Sequence, residues 1–89
     1  VLKVWDIKSG ICLNTIKDNQ CIKCMVFGKH DELITSSRSN YIKIWDMKNF
    51  NLLKSLQGHD QFIEDMCITK EGLLITADDK GVIKIWKIL

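Results

Sequence analysis

The sequence has no long apolar run, and this absence excludes several classes of protein. No stretch approaches the ~20 consecutive apolar residues that a membrane-spanning helix needs. No segment has the pattern of a signal peptide. The charges nearly cancel, since 13 basic and 11 acidic side chains leave a net charge of +2. Such a balance does not indicate a surface for nucleic acid or for a membrane.

Arginine is almost absent, with Arg38 as the single residue of its type. The lysines are dispersed along the chain and form no basic run interleaved with aromatic residues. Such a run is typical of proteins that bind single-stranded nucleic acid. We therefore expect no direct contact with nucleic acid.

The motifs of common enzyme classes are also missing. The chain has no GxSxG, no HExxH and no glycine-rich loop that could hold a phosphate. Candidate nucleophiles and bases are scattered, namely Ser36, Ser37, Ser39, His30, His59, Asp78 and Asp79. Asp78 and Asp79 are better explained as turn residues whose side chains cap backbone amides. Because catalysis needs such groups to converge on one site, the sequence predicts a protein that is not an enzyme and has no cofactor.

The four cysteines lack the pattern of a metal site. Cys21 and Cys24 form one CxxC pair, whereas a structural zinc site takes four ligands, usually two such pairs or one pair with histidines. Residues three apart in a strand point to opposite faces, which would separate these two thiols. We expect no metal, and we expect small buried thiols in a reducing compartment, either cytoplasmic or nuclear.

The strongest positive feature is an internal repeat of about 40 residues. The segment 41–47 returns at 82–88 and, in variant form, at 1–7. The tryptophans of these segments, Trp5, Trp45 and Trp86, are 40 and 41 positions apart. The triplets 33–35 and 74–76, both Leu-Ile-Thr, lie at the same distance before the last two tryptophans.

Each copy has the pattern of β-strands. Short runs rich in Ile, Val, Leu and Thr are separated by Gly, Asn, Asp and Ser, and no segment shows sustained helical periodicity. The predicted strands are 1–6, 12–17, 21–27, 32–37, 41–46, 52–56, 62–68, 73–77 and 82–87. Four strands fall within one repeat.

The strand that ends at Trp45 carries bulky side chains on both faces. Ile42 and Ile44 point to one side, and Tyr41, Lys43 and Trp45 point to the other. One small sheet cannot bury two apolar faces, whereas sheets in a stack cover one another. We therefore expect each repeat to form one sheet in a stack of sheets.

Three features together resemble the WD-repeat family of β-propellers. Trp45-Asp46 ends a predicted strand, Gly58-His59 precedes another, and the period is about 40 residues. Apolar residues follow His59 at the family's positions, namely Ile63, Met66 and Ile68, and the segment 69–72 takes the place of the family's turn. The resemblance implies an all-β fold of antiparallel four-stranded blades, incomplete here at about two blades.

The resemblance also implies a buried polar network in the last repeat. In the family, a histidine bonds a Ser or Thr hydroxyl, which reaches the tryptophan indole. His59, Thr76 and Trp86 match these positions. The family's turn aspartate, six residues before the tryptophan, is replaced here by Lys80. We expect Asp79, one residue earlier, to be the carboxylate partner of His59.

The middle repeat departs further from the family's pattern. Thr35 and Trp45 match the hydroxyl and indole positions, but Ser39 stands at the aspartate position. The Gly-His pair is replaced by Lys17-Asp18-Asn19. We expect Thr35 and Trp45 to belong to the network of that blade.

Three units are expected along the chain. Residues 1–17 would form the end of a preceding blade, residues 18–57 a full repeat, and residues 58–89 a repeat without its outermost strand. Propellers close from ~4–8 blades, so two blades and a fraction cannot form a ring. We therefore expect the chain to be a piece of a longer propeller or part of an assembly, and alone it should aggregate or oligomerise.

The resemblance implies a protein-interaction scaffold that assembles a multiprotein complex. In such propellers, the loop before the first strand of a blade and the loop between its second and third strands lie on one rim. The residues expected there are Asn19, Gln20, Arg38, Asn40, Asp60, Gln61, Asp79 and Lys80. We expect other proteins or peptides, and the remaining blades of the same propeller, as partners. Arg38 is the preferred contact, because interfaces are enriched in arginine. The alternative is a subunit of an RNA-processing ribonucleoprotein complex.

Overall fold

The described residues of the chain form nine β-strands and no helix. The computed structural model describes residues 1–17, 21–37, 41–59 and 62–87. The strands are β1 (Leu2–Trp5), β2 (Cys12–Ile16), β3 (Ile22–Phe27), β4 (Glu32–Ser37), β5 (Tyr41–Asp46), β6 (Leu52–Gln57), β7 (Ile63–Ile68), β8 (Leu73–Asp78) and β9 (Ile83–Lys87). Each bound lies within one residue of its predicted position, which confirms the all-β prediction.

The strands pair in chain order into three antiparallel sheets. Sheet A contains β1 and β2, sheet B contains β3 to β6, and sheet C contains β7 to β9. Within each sheet, every strand pairs with the next strand along the chain, as expected when short turns connect antiparallel neighbours.

The turn between β7 and β8 shows how the sequence closes a hairpin. The Thr69 hydroxyl accepts a hydrogen bond from the Leu73 amide at 3.0 Å, and the Thr69 carbonyl accepts one from the Gly72 amide at 3.0 Å. Gly72 has a φ of 88°, a conformation that favours glycine. The segment therefore forms a tight turn, in the place of the turn that the family resemblance implied.

The core between sheets B and C is formed by apolar residues that point inward from both sheets. Ile34, Ile42 and Ile44 of sheet B are at most 3% exposed. Their partners in sheet C are Ile63, Met66 and Leu74. Burial of such side chains stabilises the fold by about 25 cal/mol per Å² of apolar area. The packing of sheet B on sheet C therefore stabilises both sheets.

A second contact lies between sheets A and B. Ile16 of β2 packs with Leu33 and Trp45 of sheet B. β5 is thus covered on both faces, by sheet C at Ile42 and by sheet A at Trp45. This arrangement confirms the predicted stack.

One ion pair joins the first strands of sheets B and C. The Lys23 Nζ lies 2.9 Å from the Glu64 Oε1, and both side chains are half-exposed. The Cys24 thiol donates a hydrogen bond to the Glu64 carbonyl at 3.1 Å. Lys23 and Glu64 are 41 positions apart, so equivalent positions of neighbouring repeats carry opposite charges.

The prediction that the cysteines are buried is wrong for two of the four. Cys21 and Cys67 are exposed, while Cys12 and Cys24 are half-buried, and all four thiols are free. Cys67 is exposed because it lies on the face of sheet C that points away from sheet B. The burial of a cysteine in this fold therefore depends on whether a neighbouring sheet covers its face, and not on the residue type.

Candidate functional site

A buried polar network of four residues joins three elements of the last repeat. His59 lies in the segment before β7, Thr76 and Asp78 lie in β8, and Trp86 lies in β9. His59 is 1% exposed and Thr76 is fully buried. These polar groups are shielded from water, so a group that lost its hydrogen-bond partner would lower the stability of the fold. Each hydrogen bond of the network therefore contributes to stability.

The distances define an unbroken line of hydrogen bonds. The Trp86 Nε1 donates to the Thr76 Oγ1 at 2.9 Å. The Thr76 Oγ1 lies 2.6 Å from the His59 Nε2, and the His59 Nδ1 lies 2.9 Å from the Asp78 Oδ2. A neutral imidazole with its proton on Nδ1 satisfies every member, since Thr76 then donates to Nε2 and accepts from the indole.

Asp78 uses both of its carboxylate oxygens. Its Oδ2 bonds His59, and its Oδ1 accepts hydrogen bonds from the amides of Lys80 at 2.9 Å and Val82 at 3.0 Å. The hydrogen bond from His59 lowers the pKa of Asp78 most, and the two amides act in the same direction against the effect of burial. The carboxylate therefore ties the β8–β9 turn to the segment before β7.

Gly58 has a packing role beside this network. A Cβ atom at residue 58 would overlap the ring of Trp86. The backbone can approach the indole this closely because glycine has no side chain. The Gly-His pair thus combines a close backbone approach at Gly58 with a hydrogen-bonding ring at His59.

The carboxylate that reaches His59 belongs to Asp78 and not to the predicted Asp79. Side chains two apart in a strand share a face, so Asp78 lies on the same side as Thr76, whereas Asp79 is exposed in the turn. The alternation of β8 was the signal that could have identified Asp78. The sequence also predicted that the Asp78 side chain caps backbone amides, and its hydrogen bonds from the Lys80 and Val82 amides agree with that prediction.

The middle repeat keeps only part of this arrangement among the described residues. The Trp45 Nε1 donates to the Thr35 Oγ1 at 3.0 Å. Ser37 occupies the position equivalent to Asp78, and the position equivalent to His59 is Asp18, which lies outside the described residues. Both repeats therefore have the hydrogen bond between a threonine hydroxyl and a tryptophan indole. The carboxylate of Asp78 in the last repeat is replaced by the shorter Ser37 side chain in the middle repeat.

Two of the predicted rim residues can be placed. Asp79 and Lys80 are exposed in the turn between β8 and β9. Because Asp78 bonds His59, this turn and the segment before β7 lie at the same end of the stack. The other six fall outside the described residues, namely Asn19, Gln20, Arg38, Asn40, Asp60 and Gln61.

Within residues 1–17, 21–37, 41–59 and 62–87, no three His, Cys, Asp or Glu side chains cluster as they would around a metal ion. The same ranges contain no helix with the length and apolar character needed to cross a membrane.

Comparison with known proteins identifies the family of the repeats. The family model described as "WD domain, G-beta repeat" matches residues 10–46 and 50–87. The chain belongs to the WD-repeat family. Each matched segment ends at the third strand of a sheet and contains its tryptophan, Trp45 or Trp86, so the repeat seen in the sequence is the family's repeat.

The relatives of this WD-repeat chain are much longer proteins. Kinesin-like protein KIF21A of Homo sapiens is 31% identical over 90 residues, a region that covers 97% of the chain and 5% of the relative. U3 small nucleolar RNA-associated protein 12 of Saccharomyces cerevisiae is 25% identical over 87 residues, covering 96% of the chain and 9% of the relative. The chain thus spans less than a tenth of either protein.

A solved structure shows the same fold. The crystal structure of the computationally designed Ika4 protein superposes with a TM-score of 0.83 at 24% identity. The superposition covers 98% of the chain and 54% of the designed chain. At this identity the likeness shows the fold alone.

Proposed function

We propose that the chain is part of a WD-repeat propeller that acts as a scaffold and holds other proteins or peptides on one rim. WD repeats generally mediate protein–protein interaction and the assembly of complexes. In this proposal the stacked sheets form the rigid support, and the loops at one end of the stack carry recognition. The remaining blades of the same propeller would complete the support.

The observation that carries the proposal is the double attachment of Asp78. This carboxylate bonds the amides of its own turn and also His59, which leads into the neighbouring rim loop. A turn held in this way presents its exposed side chains, Asp79 and Lys80, in a fixed arrangement. Such preorganisation favours binding, because less conformational entropy is lost when a partner arrives.

The chemistry of the rim supports a protein partner. The eight proposed rim residues include two acids and two bases among neutral amides, and mixed charges favour specific recognition with modest electrostatic steering. We propose Arg38 as the preferred contact, since arginine is enriched at interfaces. We propose binding rather than catalysis as the function, with no cofactor and no direct nucleic-acid contact, in a cytoplasmic or nuclear location.

A second candidate function is that of a subunit in an RNA-processing ribonucleoprotein complex. The similarity to U3 small nucleolar RNA-associated protein 12 supports this alternative. The two candidates differ in what accompanies the chain, because only the second predicts that RNA-containing particles are recovered with it.

Affinity capture from cell extract, followed by identification of the bound proteins, tests the proposal. The rim variant exchanges the charges of one turn, Asp79→Lys with Lys80→Asp. The control variant exchanges charges at the opposite end of the same hairpins, Lys70→Glu with Glu71→Lys. Both pairs are exposed, and both exchanges leave the net charge unchanged.

We expect the rim variant, and Arg38→Ala, to recover at least several-fold less of a bound protein than the control. Equal recovery from all variants would contradict the proposed rim. Recovery of ribonucleoprotein components that disappears after ribonuclease treatment would favour the alternative.

A further inference from the structure

The strand β6 forms an open edge of sheet B. It pairs with β5 on one side and with no described strand on the other. Alternate residues of such an outermost strand direct their backbone N–H and C=O groups outward, where an extended segment of another chain can pair with them. Because β6 has six residues and no proline, no backbone donor is missing from this outward row.

Two exposed leucines lie at the beginning of β6. Leu52 pairs with Trp45, and Leu53 is an extra residue at a β-bulge beside this pair. Opposite residues of paired strands share a face, and sheet A covers Trp45 on that face. Leu52 is nevertheless 46% exposed and Leu53 is 53% exposed. Their exposure therefore comes from their place at the outer edge, where they offer an apolar contact.

The outer hairpins of sheets A and B are basic. Residues 1–17 contain three lysines and one aspartate, and residues 41–57 contain the same numbers. The other residues of the chain carry more acidic than basic side chains. The aspartates of the two hairpins, Asp6 and Asp46, each accept a hydrogen bond from an amide of their own turn. The outer side of the stack therefore favours an acidic partner.

Lys54 is exposed in the middle of the open edge. A lysine on an edge strand discourages pairing with neutral or basic strands, because its ammonium group lies beside the added strand. Pairing of β6 with β6 of a second copy around this position would bring two lysines together, whereas a glutamate opposite Lys54 would form an ion pair. In β2 the equivalent residue is Asn14, so this charge distinguishes β6 from β2.

We propose that β6 binds an extended acidic segment of a partner protein, which adds to sheet B as a fifth strand. Main-chain hydrogen bonds to the open edge supply affinity, and the side chains supply specificity. Leu52 shares the face of Trp45, and Lys54 shares the opposite face with Ile44. A segment that alternates apolar residues with glutamates matches both faces. This site is separate from the rim turn of β8 and β9 and does not depend on what the rim binds.

A fluorescent peptide of alternating valine and glutamate, titrated with the protein and followed by anisotropy, tests the proposal. The comparison peptide carries lysine in place of each glutamate. We expect the glutamate peptide to bind at least about fivefold more tightly, because repulsion replaces the ion pair at Lys54 in the other complex. The preference should weaken as the salt concentration rises.

Lys54→Glu should reverse this preference, so that the lysine peptide binds more tightly. Lys70→Glu is the matched control, because it makes the same change at an exposed lysine in the turn between β7 and β8. It should bind the peptides like the natural chain. The rim exchange Asp79→Lys with Lys80→Asp should also leave peptide binding unchanged, which separates this site from the proposed rim.

Two N-methylated forms of the glutamate peptide test for strand addition. Only alternate amides of an added strand point towards β6, so methylation of one alternate set should abolish binding and methylation of the other should not. Equal binding of both forms, absence of binding by the glutamate peptide, or an unchanged preference in Lys54→Glu would overturn the proposal. Binding of phosphatidylserine vesicles without binding of the peptide would overturn it in favour of a membrane surface.

Discussion

The His59 Nδ1 lies 2.9 Å from the Asp78 Oδ2, and this contact joins the segment before β7 to the turn after β8. The same histidine bonds Thr76 through its other nitrogen at 2.6 Å. One buried ring therefore connects two segments that lie 19 positions apart in the sequence.

Replacing His59 with leucine should destabilise the fold. The substitution removes two hydrogen bonds and leaves Asp78 without its buried partner. Loss of one member of a buried pair costs about 1–3 kcal/mol, which urea denaturation can measure. His30→Leu is the matched control, because His30 is exposed and surface substitutions usually change stability by less than about 0.5 kcal/mol. Equal effects of the two changes would argue against the network.

The charge of Asp78 should make the stability of the fold depend on pH in the acidic range. The pKa of Asp78 is lower in the folded state than its usual value of 3.8, so the carboxylate stabilises the fold above that value. This contribution is lost as the pH falls through the folded-state pKa. Asp78→Asn should therefore lower the melting temperature at pH 7, and the difference from the natural chain should shrink below pH 3.8.

Asp79→Asn serves as the control for that titration. Asp79 is exposed and is not the carboxylate that bonds His59. Its melting temperature at pH 7 should equal that of the natural chain, because the substitution removes no bond to His59. A pH-dependent difference as large as that of Asp78→Asn would contradict the assignment of Asp78 as the partner of His59.

Gly58→Ala should destabilise the last repeat through a steric clash. The added methyl group would overlap the Trp86 ring, and forcing extra atoms into a packed contact costs about 1–3 kcal/mol. Gly81→Asn is the control for steric overlap, because a Cβ there meets open space; its cost is the backbone strain of a positive φ, which is small for asparagine, so it should destabilise less than Gly58→Ala. Thermal unfolding of both variants measures the contrast, and equal melting temperatures would argue against a packing role for Gly58.

Ser36→Ala should leave the stability unchanged or raise it. Among the described residues, Ser36 Oγ is the buried side-chain oxygen or nitrogen that lacks a hydrogen-bond partner, and Ala77 occupies the equivalent position of the next repeat. The neighbouring change Thr35→Ala should cost about 1–3 kcal/mol, because it leaves the buried Trp45 indole unpaired. Urea denaturation of both variants compares an unpaired hydroxyl with a paired one. A large loss in Ser36→Ala would indicate a partner for this hydroxyl.

The strands and their order could be read from the sequence because they depend on local patterns. Alternation along β5 places Ile42 and Ile44 on one face whatever the rest of the chain does. The spacing of ten residues between Thr35 and Trp45 is repeated between Thr76 and Trp86, and antiparallel pairing of adjacent strands brings each pair within hydrogen-bond distance. Period and alternation thus determined the elements, their sheets and half of the polar network.

Which side chains are buried was decided only by the tertiary structure, because burial depends on the neighbouring sheet. Ile83 has the same type and strand position as Ile42, yet it is 67% exposed where Ile42 is fully buried. The pairing of Lys23 with Glu64 likewise depends on how one sheet packs on the next. The sequence by itself determined a repeating set of strands, and the stacking of the sheets determined which of their faces are closed and which remain open to a partner.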